Sequence, residues 1–275
     1  MFLCCGYMPG RLIFVFMSSH LCKLSARVTF YSKGGIVIKP ACIAIILLCT
    51  FFISTPSLVE AVHTIHTPVD ILIDAGHGGV DGGAVSGDIL EKNITLQVAQ
   101  LLYKQLSLKG YSVVLNRTGD YALSEENQWL NTPSRHQKDL AQRKHLAQEL
   151  SPKIMISLHV NTSSNPANRG PLVLYQKNNQ SFMLADIMQH SLNKLYKTTE
   201  LPRPGKRLYL LNHSICPTVL VEIGFLSNPT DRIRMTTSSQ QIKIASTISS
   251  SVDAYFLLLN QTPFKEMGRK GKGRL

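Results

Sequence analysis

Four ionisable side chains stand at positions where an α/β protein could carry out chemistry. His77 lies in a glycine-rich loop, and Glu91 opens the helical segment that follows it. His159 lies near the end of the apolar run KIMISLHV, and Glu222 lies inside the apolar run TVLVEIGF. Two imidazoles and one carboxylate can hold a catalytic zinc ion and leave a fourth position for water. Glu222 would then move protons, because a carboxylate on a buried strand is costly without a partner or a task.

Each of these residues also has an ordinary interpretation when it is taken alone. His77 could simply be exposed in its loop, and Glu91 could be a first-turn glutamate favoured by the helix dipole. His159 could be a hydrogen-bonded core histidine, and Glu222 alone supports a structural role as well as a catalytic one. The separations of 14, 68 and 63 residues match no short zinc motif. The metal-site interpretation therefore depends on the four residues together.

Neighbouring residues support weaker interpretations. Asp74 and Asp81 flank His77 and could orient a metal ligand, or could be solvated loop residues. Arg143 lies between apolar positions of a helical segment, so we favour an ion-pair role over contact with a substrate carboxylate. Of the six cysteines, only Cys216 lies beyond the first 50 residues, which excludes a disulfide within the later part of the chain and favours a small buried side chain.

The apolar patterns predict strands that alternate with helices. Strands are expected at residues 70–74, 111–115, 153–160, 172–175, 207–211 and 218–225, and helices at 91–109, 135–150, 182–196 and 242–259. This alternation predicts a single α/β domain with a mostly parallel, mixed central sheet and helices on both faces. Because the carboxyl ends of parallel strands share one edge, the four chemistry-bearing residues should lie on the same side of the domain.

The net charge of +12 is concentrated at the two ends of the 275-residue chain. Residues 1–62 and 265–275 each carry five basic residues and one acidic residue, whereas residues 63–264 carry 19 basic and 15 acidic ones. The central part lacks a strong basic excess, which argues against nucleic-acid binding. A composition of 44% hydrophobic and 17% charged residues also excludes a disordered chain, a multi-span membrane protein and a coiled coil.

The first 62 residues are interpreted as an export segment. Residues 41–53 read ACIAIILLCTFFI without a charge, which is shorter than the roughly 20 residues of a full membrane span. Small residues near position 61 suit a signal peptidase, and an uncleaved N-terminal membrane anchor is the alternative. We therefore expect three parts: a signal or anchor segment at 1–62, a catalytic domain at 63–264 and a basic tail at 265–275.

Four ordered motifs resemble the zinc-dependent N-acetylmuramoyl-L-alanine amidases of the amidase-3 family. They are ILIDAGHGG from position 71, EKNITL from 91, SLHVN from 157 and VEIGFLSN from 221. The resemblance covers about residues 70–258 and implies that His77, Glu91 and His159 bind Zn²⁺ and that Glu222 is the catalytic acid/base. It also implies that zinc-activated water cleaves peptidoglycan, a muramyl peptide polymer, between N-acetylmuramic acid and L-alanine.

Within this family the chain is similar to the germination-specific spore-cortex subgroup, on DLAQR from position 139 and RLYL from 207. That similarity implies a part in forming muramic δ-lactam and an extracytoplasmic location. Between Asn161 and Glu222 the sequence shows no additional inserted helix of the kind that plugs the active site of septal amidases, so we expect an open site unless an activating protein partner controls metal binding. The alternatives are a zinc peptidase of carboxypeptidase type, with Arg143 or Arg207 binding a terminal carboxylate, and a catalytically silent wall-binding regulator.

Overall fold

The computed structural model describes residues 68–261, together with the backbone of two short strands near the start of the chain. Those strands, β1 (Cys5–Met8) and β2 (Arg11–Phe14), pair antiparallel. Contacts divide the chain into two units, Met1–His63 and Thr64–Leu275. The predicted apolar export segment at 41–53 and the predicted basic tail lie outside the described residues.

A six-stranded mixed sheet forms the centre of the second unit. Its strands are β3 (Ile71–Ala75), β6 (Val113–Leu115), β7 (Ile154–Asn161), β8 (Leu172–Tyr175), β9 (Arg203–Pro204) and β10 (Thr218–Phe225). They are ordered β6-β3-β7-β10-β8-β9, and β6, β3, β7 and β10 are parallel. β8 runs antiparallel to β10, and β9 is parallel to β8. The predicted α/β fold with a mostly parallel, mixed sheet is confirmed.

Helices cover both faces of this sheet. They are α1 (Glu91–Leu108), α2 (Arg135–Leu150), α3 (Asn179–Tyr196), α4 (Tyr209–His213), α5 (Pro229–Thr236) and α6 (Ser238–Gln261). Successive side chains of a strand point to opposite faces. In β3, Ile71 and Ile73 pack in the larger core with α1, α3 and α6, whereas Leu72 packs in a smaller core with α2 and α4.

One prediction of local structure is wrong, and one helix was not predicted. Residues 207–211 were expected to form a strand, but they enter helix α4, and the neighbouring strand β9 lies earlier, at Arg203–Pro204. A short apolar run does not distinguish a strand from a helix, and here Leu210 is buried in the smaller core. Helix α5 was not predicted, although Asn228 caps it and Pro229 occupies its first turn, both of which are helix-start signals.

Helix α6 is long and apolar enough to cross a membrane by length and composition alone. Its residues Ile244, Ile248, Val252 and Tyr255 are fully buried in the larger core. The helix also packs against α1 and α3. It is therefore a core helix of this domain.

A small hairpin precedes α1 and closes the glycine-rich loop after β3. It consists of β4 (Val85–Ser86) and β5 (Ile89–Leu90), which pair antiparallel. Glu91 follows β5 directly, and its backbone N–H donates to the carbonyl of Ala84. The hairpin thus returns the chain to the carboxyl edge of the sheet, where α1 begins.

Candidate metal centre

His77, Glu91 and His159 converge at the carboxyl edge of the parallel strands. His77 lies just beyond β3, Glu91 is the first residue of α1, and His159 lies in β7. One candidate ligand atom from each residue lies within 4.8 Å of the other two. The group contains two imidazoles and one carboxylate, which is a ligand set that a divalent metal ion can use.

Glu91 is the centre of this group and is only 3% exposed. Its Oε1 lies 3.1 Å from Nε2 of His77 and 3.0 Å from Nδ1 of His159, and it accepts a hydrogen bond from the N–H of Val160. Its Oε2 accepts a hydrogen bond from the N–H of Ala84. Burial disfavours the carboxylate, but the hydrogen bonds and charges of the two histidines outweigh it and hold the pKa of Glu91 far below its ordinary value.

His77 presents its two ring nitrogens to two different carboxylates. Nε2 faces Glu91, and Nδ1 lies 3.1 Å from Oδ2 of Asp81, close enough for an ion pair but not aligned as a hydrogen bond. Burial lowers the pKa of His77, but Glu91 and Asp81 together raise it above its ordinary value. Asp81 therefore contacts the ring from the side away from the cluster, where it can orient it.

The glycine-rich loop packs closely around all three residues. A Cβ atom at Gly76 would lie 2.5 Å from Cε1 of His159, and one at Gly83 would lie 2.5 Å from Oε2 of Glu91. The rings of His77 and His159 meet edge to face, with centroids 5.0 Å apart. The absence of a side chain at these two glycines is what lets the loop approach the cluster.

Glu222 lies beside this group on β10. It pairs in register with His159 on β7. Its Oε2 is buried and has no hydrogen-bond partner among the described residues. Burial raises the pKa of Glu222 to about 6; the charge of His159 opposes this rise, and that of Glu91 adds to it. An unpaired carboxyl group with a raised pKa, next to a possible metal site, can accept and return a proton near neutral pH.

Arg143 and Cys216, which also stood out in the sequence, have structural roles. Arg143 is buried and forms ion pairs with Asp74 at 2.6 Å and Asp139 at 2.5 Å, which agrees with the ion-pair role. Cys216 is buried, as expected for a small core side chain. Arg117 was missed: it is fully buried beneath the glycine-rich loop, and an arginine in a polar sequence gives no sign of such burial.

Comparisons with known proteins agree with the fold. Residues 71–254 match Amidase_3, a family described as N-acetylmuramoyl-L-alanine amidase. The germination-specific N-acetylmuramoyl-L-alanine amidase of Bacillus subtilis is 34% identical over 188 residues, which cover 68% of this chain and 79% of that protein.

Solved structures give the same result. The CwlD amidase of Clostridioides difficile, solved in complex with the GerS lipoprotein, has a TM-score of 0.65 and 30% identity over 69% of this chain and 99% of that one. The catalytic domain of CwlV from Bacillus (Paenibacillus) polymyxa has a TM-score of 0.58 and 28% identity over 68% and 98% of the two chains. The family resemblance read from the four motifs is thus confirmed. The chain belongs to the Amidase_3 family of N-acetylmuramoyl-L-alanine amidases and is an enzyme with that activity on peptidoglycan.

Proposed function

We propose that the protein is a zinc-dependent amidase in which His77, Glu91 and His159 hold the metal and Glu222 transfers protons. The observation that carries this proposal is the approach of two imidazole nitrogens to one oxygen of Glu91, at 3.0 and 3.1 Å, beside half-buried Glu222, whose buried Oε2 has no hydrogen-bond partner among the described residues. Three protein ligands of this kind, with one position left open, are typical of catalytic zinc.

The residues present fit a zinc ion. Nε2 of His77 and Nδ1 of His159 face the same carboxylate, and the low pKa of Glu91 keeps that carboxylate ionised. When bound, zinc would supply a Lewis acid that polarises the amide carbonyl and lowers the pKa of water. Calcium and magnesium are poorer matches, because they prefer sites built from oxygen ligands.

Glu222 has the environment that the proton transfers of amide hydrolysis require. The attacking water must lose a proton as its oxygen bonds to the carbonyl carbon, and Glu222 would accept it. The C–N bond then breaks, and Glu222 would give the proton to the departing alanine nitrogen, because an amine anion is too poor a leaving group. A pKa of about 6 suits both steps, whereas Glu91 stays ionised throughout.

The bond cleaved would join the lactyl group of N-acetylmuramic acid to L-alanine of the stem peptide. The similarity to the germination-specific amidase and to CwlD supports a part in spore-cortex modification and germination. The protein would act outside the cytoplasm, with residues 1–62 serving as its signal or membrane anchor, 63–264 as its catalytic domain and 265–275 as a basic tail. Because CwlD was solved with GerS, we also propose that a protein partner binds this chain.

The peptidase alternative needs an arginine that binds the terminal carboxylate of a peptide, and only one of its two candidates is accessible. Arg143 is 3% exposed and is committed to two carboxylates, so it cannot bind the terminal carboxylate of a peptide. Arg207 is exposed and remains available for that role. Product analysis separates the two reactions.

The test is to incubate the purified full chain with muropeptides and to identify the products by mass spectrometry. We expect free stem peptides that begin with L-alanine, loss of this activity with a chelator, and its return with added Zn²⁺. Cleavage inside the stem peptide would indicate a peptidase instead. No cleavage by a zinc-loaded chain, with or without a partner, would indicate the silent wall-binding alternative.

A further inference from the structure

A buried arginine outside the candidate metal centre links the two segments that carry His77 and Glu91. Arg117 follows β6 and is 0% exposed. Its Nη2 donates to the carbonyl of Gly76 at 2.9 Å and to the carbonyl of Lys92 at 2.8 Å. Gly76 precedes His77 and Lys92 follows Glu91, so a single nitrogen joins the immediate neighbours of two of the three cluster residues.

The remaining contacts of Arg117 extend this link. Its Nε donates to the carbonyl of Ala75 at 3.1 Å, and its Nη1 donates to the carbonyl of Gly119 at 3.0 Å. The hydroxyl of Thr95, one turn into α1, lies 3.2 Å from Nη2 and donates to the carbonyl of Gly76 at 2.9 Å. Strand β3, the metal loop and the first turn of α1 are therefore tied to one side chain.

The guanidinium group of Arg117 donates its hydrogen bonds to uncharged oxygen atoms. Within residues 68–261, no carboxylate lies at ion-pair distance from it, although Asp74 and Asp120 act on it from farther away. Burying a charge without a directly paired opposite charge is costly. An apolar side chain of similar size would avoid that cost, but it has no N–H groups to donate to the loop carbonyls. The contacts with the loop are thus the specific contribution of the guanidinium.

The loop that Arg117 binds is strained at the histidine. His77 has φ of +61°, in the left-handed region that is unfavourable for a non-glycine residue. Arg117 fixes the two preceding carbonyls, and Nη2 of Arg143 fixes the carbonyl of His77 itself at 2.9 Å. Hydrogen bonds to three consecutive carbonyls keep the chain in this conformation, which turns the imidazole towards Glu91.

We propose that Arg117 is a positioning residue that sets the separation of His77 and Glu91, so that their donor atoms stand at metal-binding distance before the metal arrives. This inference rests on the proposed metal-binding function of the cluster. A lysine would keep the positive charge, but its single nitrogen cannot reach the carbonyls on both sides of the guanidinium. We therefore expect Arg117→Lys to fold and to bind metal poorly.

The experiment measures zinc binding by the full chain and by Arg117→Lys, using competition with a chromophoric chelator. We expect the zinc dissociation constant of the variant to rise about 10- to 100-fold, the range typical for loss of a group that orients a ligand. The visible absorption spectrum of the Co²⁺-loaded protein should change as well, because the ligand geometry changes. Circular dichroism and urea unfolding report the fold separately.

Ile248→Val is the matched control, because Ile248 is fully buried in α6 and lies in the larger core. It should lower stability without altering the zinc dissociation constant or the Co²⁺ spectrum. If Arg117→Lys is less stable but binds zinc and Co²⁺ as the original chain does, Arg117 is only structural and the inference is wrong. Failure of the original chain itself to bind zinc would instead overturn the proposed function.

Thr95→Val provides the test if Arg117→Lys does not fold. It keeps the shape of a fully buried side chain and removes the hydroxyl that joins Arg117 to Gly76. A weaker zinc affinity, in the same direction and smaller than that expected for Arg117→Lys, would support the inference. An unchanged dissociation constant in this folded variant would contradict it.

Discussion

Glu222 and His159 are register partners on the adjacent parallel strands β10 and β7. Register partners point their side chains to the same face of a sheet, so the carboxyl group of Glu222 and the imidazole of His159 lie on the same face. The register shifts immediately after Glu222, between that residue and Phe225. The hydrogen bonds of the sheet thus fix the spacing between the proposed proton carrier and a proposed metal ligand. Of the other two residues of the metal centre, His77 lies in a loop and Glu91 at the start of α1.

Glu222→Gln should abolish most of the amidase activity and leave zinc binding intact. The amide cannot accept the proton of the attacking water, and loss of a general acid/base typically lowers turnover about 10²- to 10⁴-fold. Turnover of muropeptides and the zinc dissociation constant are the two measurements. His190→Ala, at an exposed position on α3, should change neither. Retention of full activity by Glu222→Gln would remove Glu222 from the mechanism.

The same variant should show that ionisation of Glu222 destabilises the metal-free protein, by an amount that depends on pH. The pKa of Glu222 is raised from 4.5 to about 6 by burial, so the folded state binds the proton more tightly than the unfolded state. Stability therefore falls as the pH rises through this window. The whole rise in the pKa of Glu222 corresponds to a loss of about 2 kcal/mol in the free energy of unfolding. Glu222→Gln removes this loss, because the amide does not ionise.

Urea unfolding of both metal-free proteins at several pH values checks this expectation. The free energy of unfolding of Glu222→Gln, minus that of the original chain, should increase between pH 4.5 and pH 6.5 and then stay constant. A difference that does not change across this range would mean that Glu222 has a partner in solution.

The long apolar strands made much of this arrangement predictable from sequence. The runs around His159 and Glu222 have clear strand patterns, and parallel topology then places their ends along one edge. Arg117 could not be found in the same way, because its distant acceptors are backbone carbonyls from two separate segments, at 75–76 and at Lys92, that only the folded chain brings together. A strand was predicted at 207–211, where helix α4 begins, because so short an apolar run fits both the strand and the helix periodicity.

Gly76→Ala should weaken metal binding while the protein stays folded. The backbone of Gly76 is not in the left-handed region, so alanine is allowed there, but its Cβ atom would lie 2.5 Å from the ring of His159. The imidazole must then leave its present position beside Glu91. Gly82→Ala is the control in the same loop, because its Cβ atom would make an ordinary contact of 3.5 Å with Leu90.

Zinc titration of the two alanine variants checks this expectation. We expect a weaker affinity for Gly76→Ala, by about tenfold or more if displacing the ring resembles loss of an orienting group, and an unchanged affinity for Gly82→Ala. Equal affinities would show that the loop can relax around the added methyl group. Crystals of Gly76→Ala should show His159 displaced from its contact with Glu91.

Asp74→Asn should destabilise the domain strongly, because it breaks a buried ion pair. Asp74 is fully buried, lies 2.6 Å from Nη1 of Arg143 and accepts a hydrogen bond from Ser157. Complete loss of the partner of a buried charge costs about 3–5 kcal/mol, and Arg143 keeps Asp139, so we expect a cost below that range but above about 1 kcal/mol. Glu200→Gln breaks the exposed pair with Arg203 and should cost less than about 1 kcal/mol.

The cost of Asp74→Asn should also depend on pH in a defined direction. Burial raises the pKa of Asp74, but the charge of Arg143 and the hydrogen bond from Ser157 outweigh it and hold the pKa below its ordinary value of 3.8. The stabilisation is therefore complete above pH 3.8 and is lost as the pH falls through the lower folded-state pKa. Urea unfolding should show the full difference between the original chain and Asp74→Asn at pH 6 and a smaller one in stronger acid. A difference at pH 6 no larger than that of Glu200→Gln would mean that the carboxylate of Asp74 adds little to the stability of the loop that carries His77.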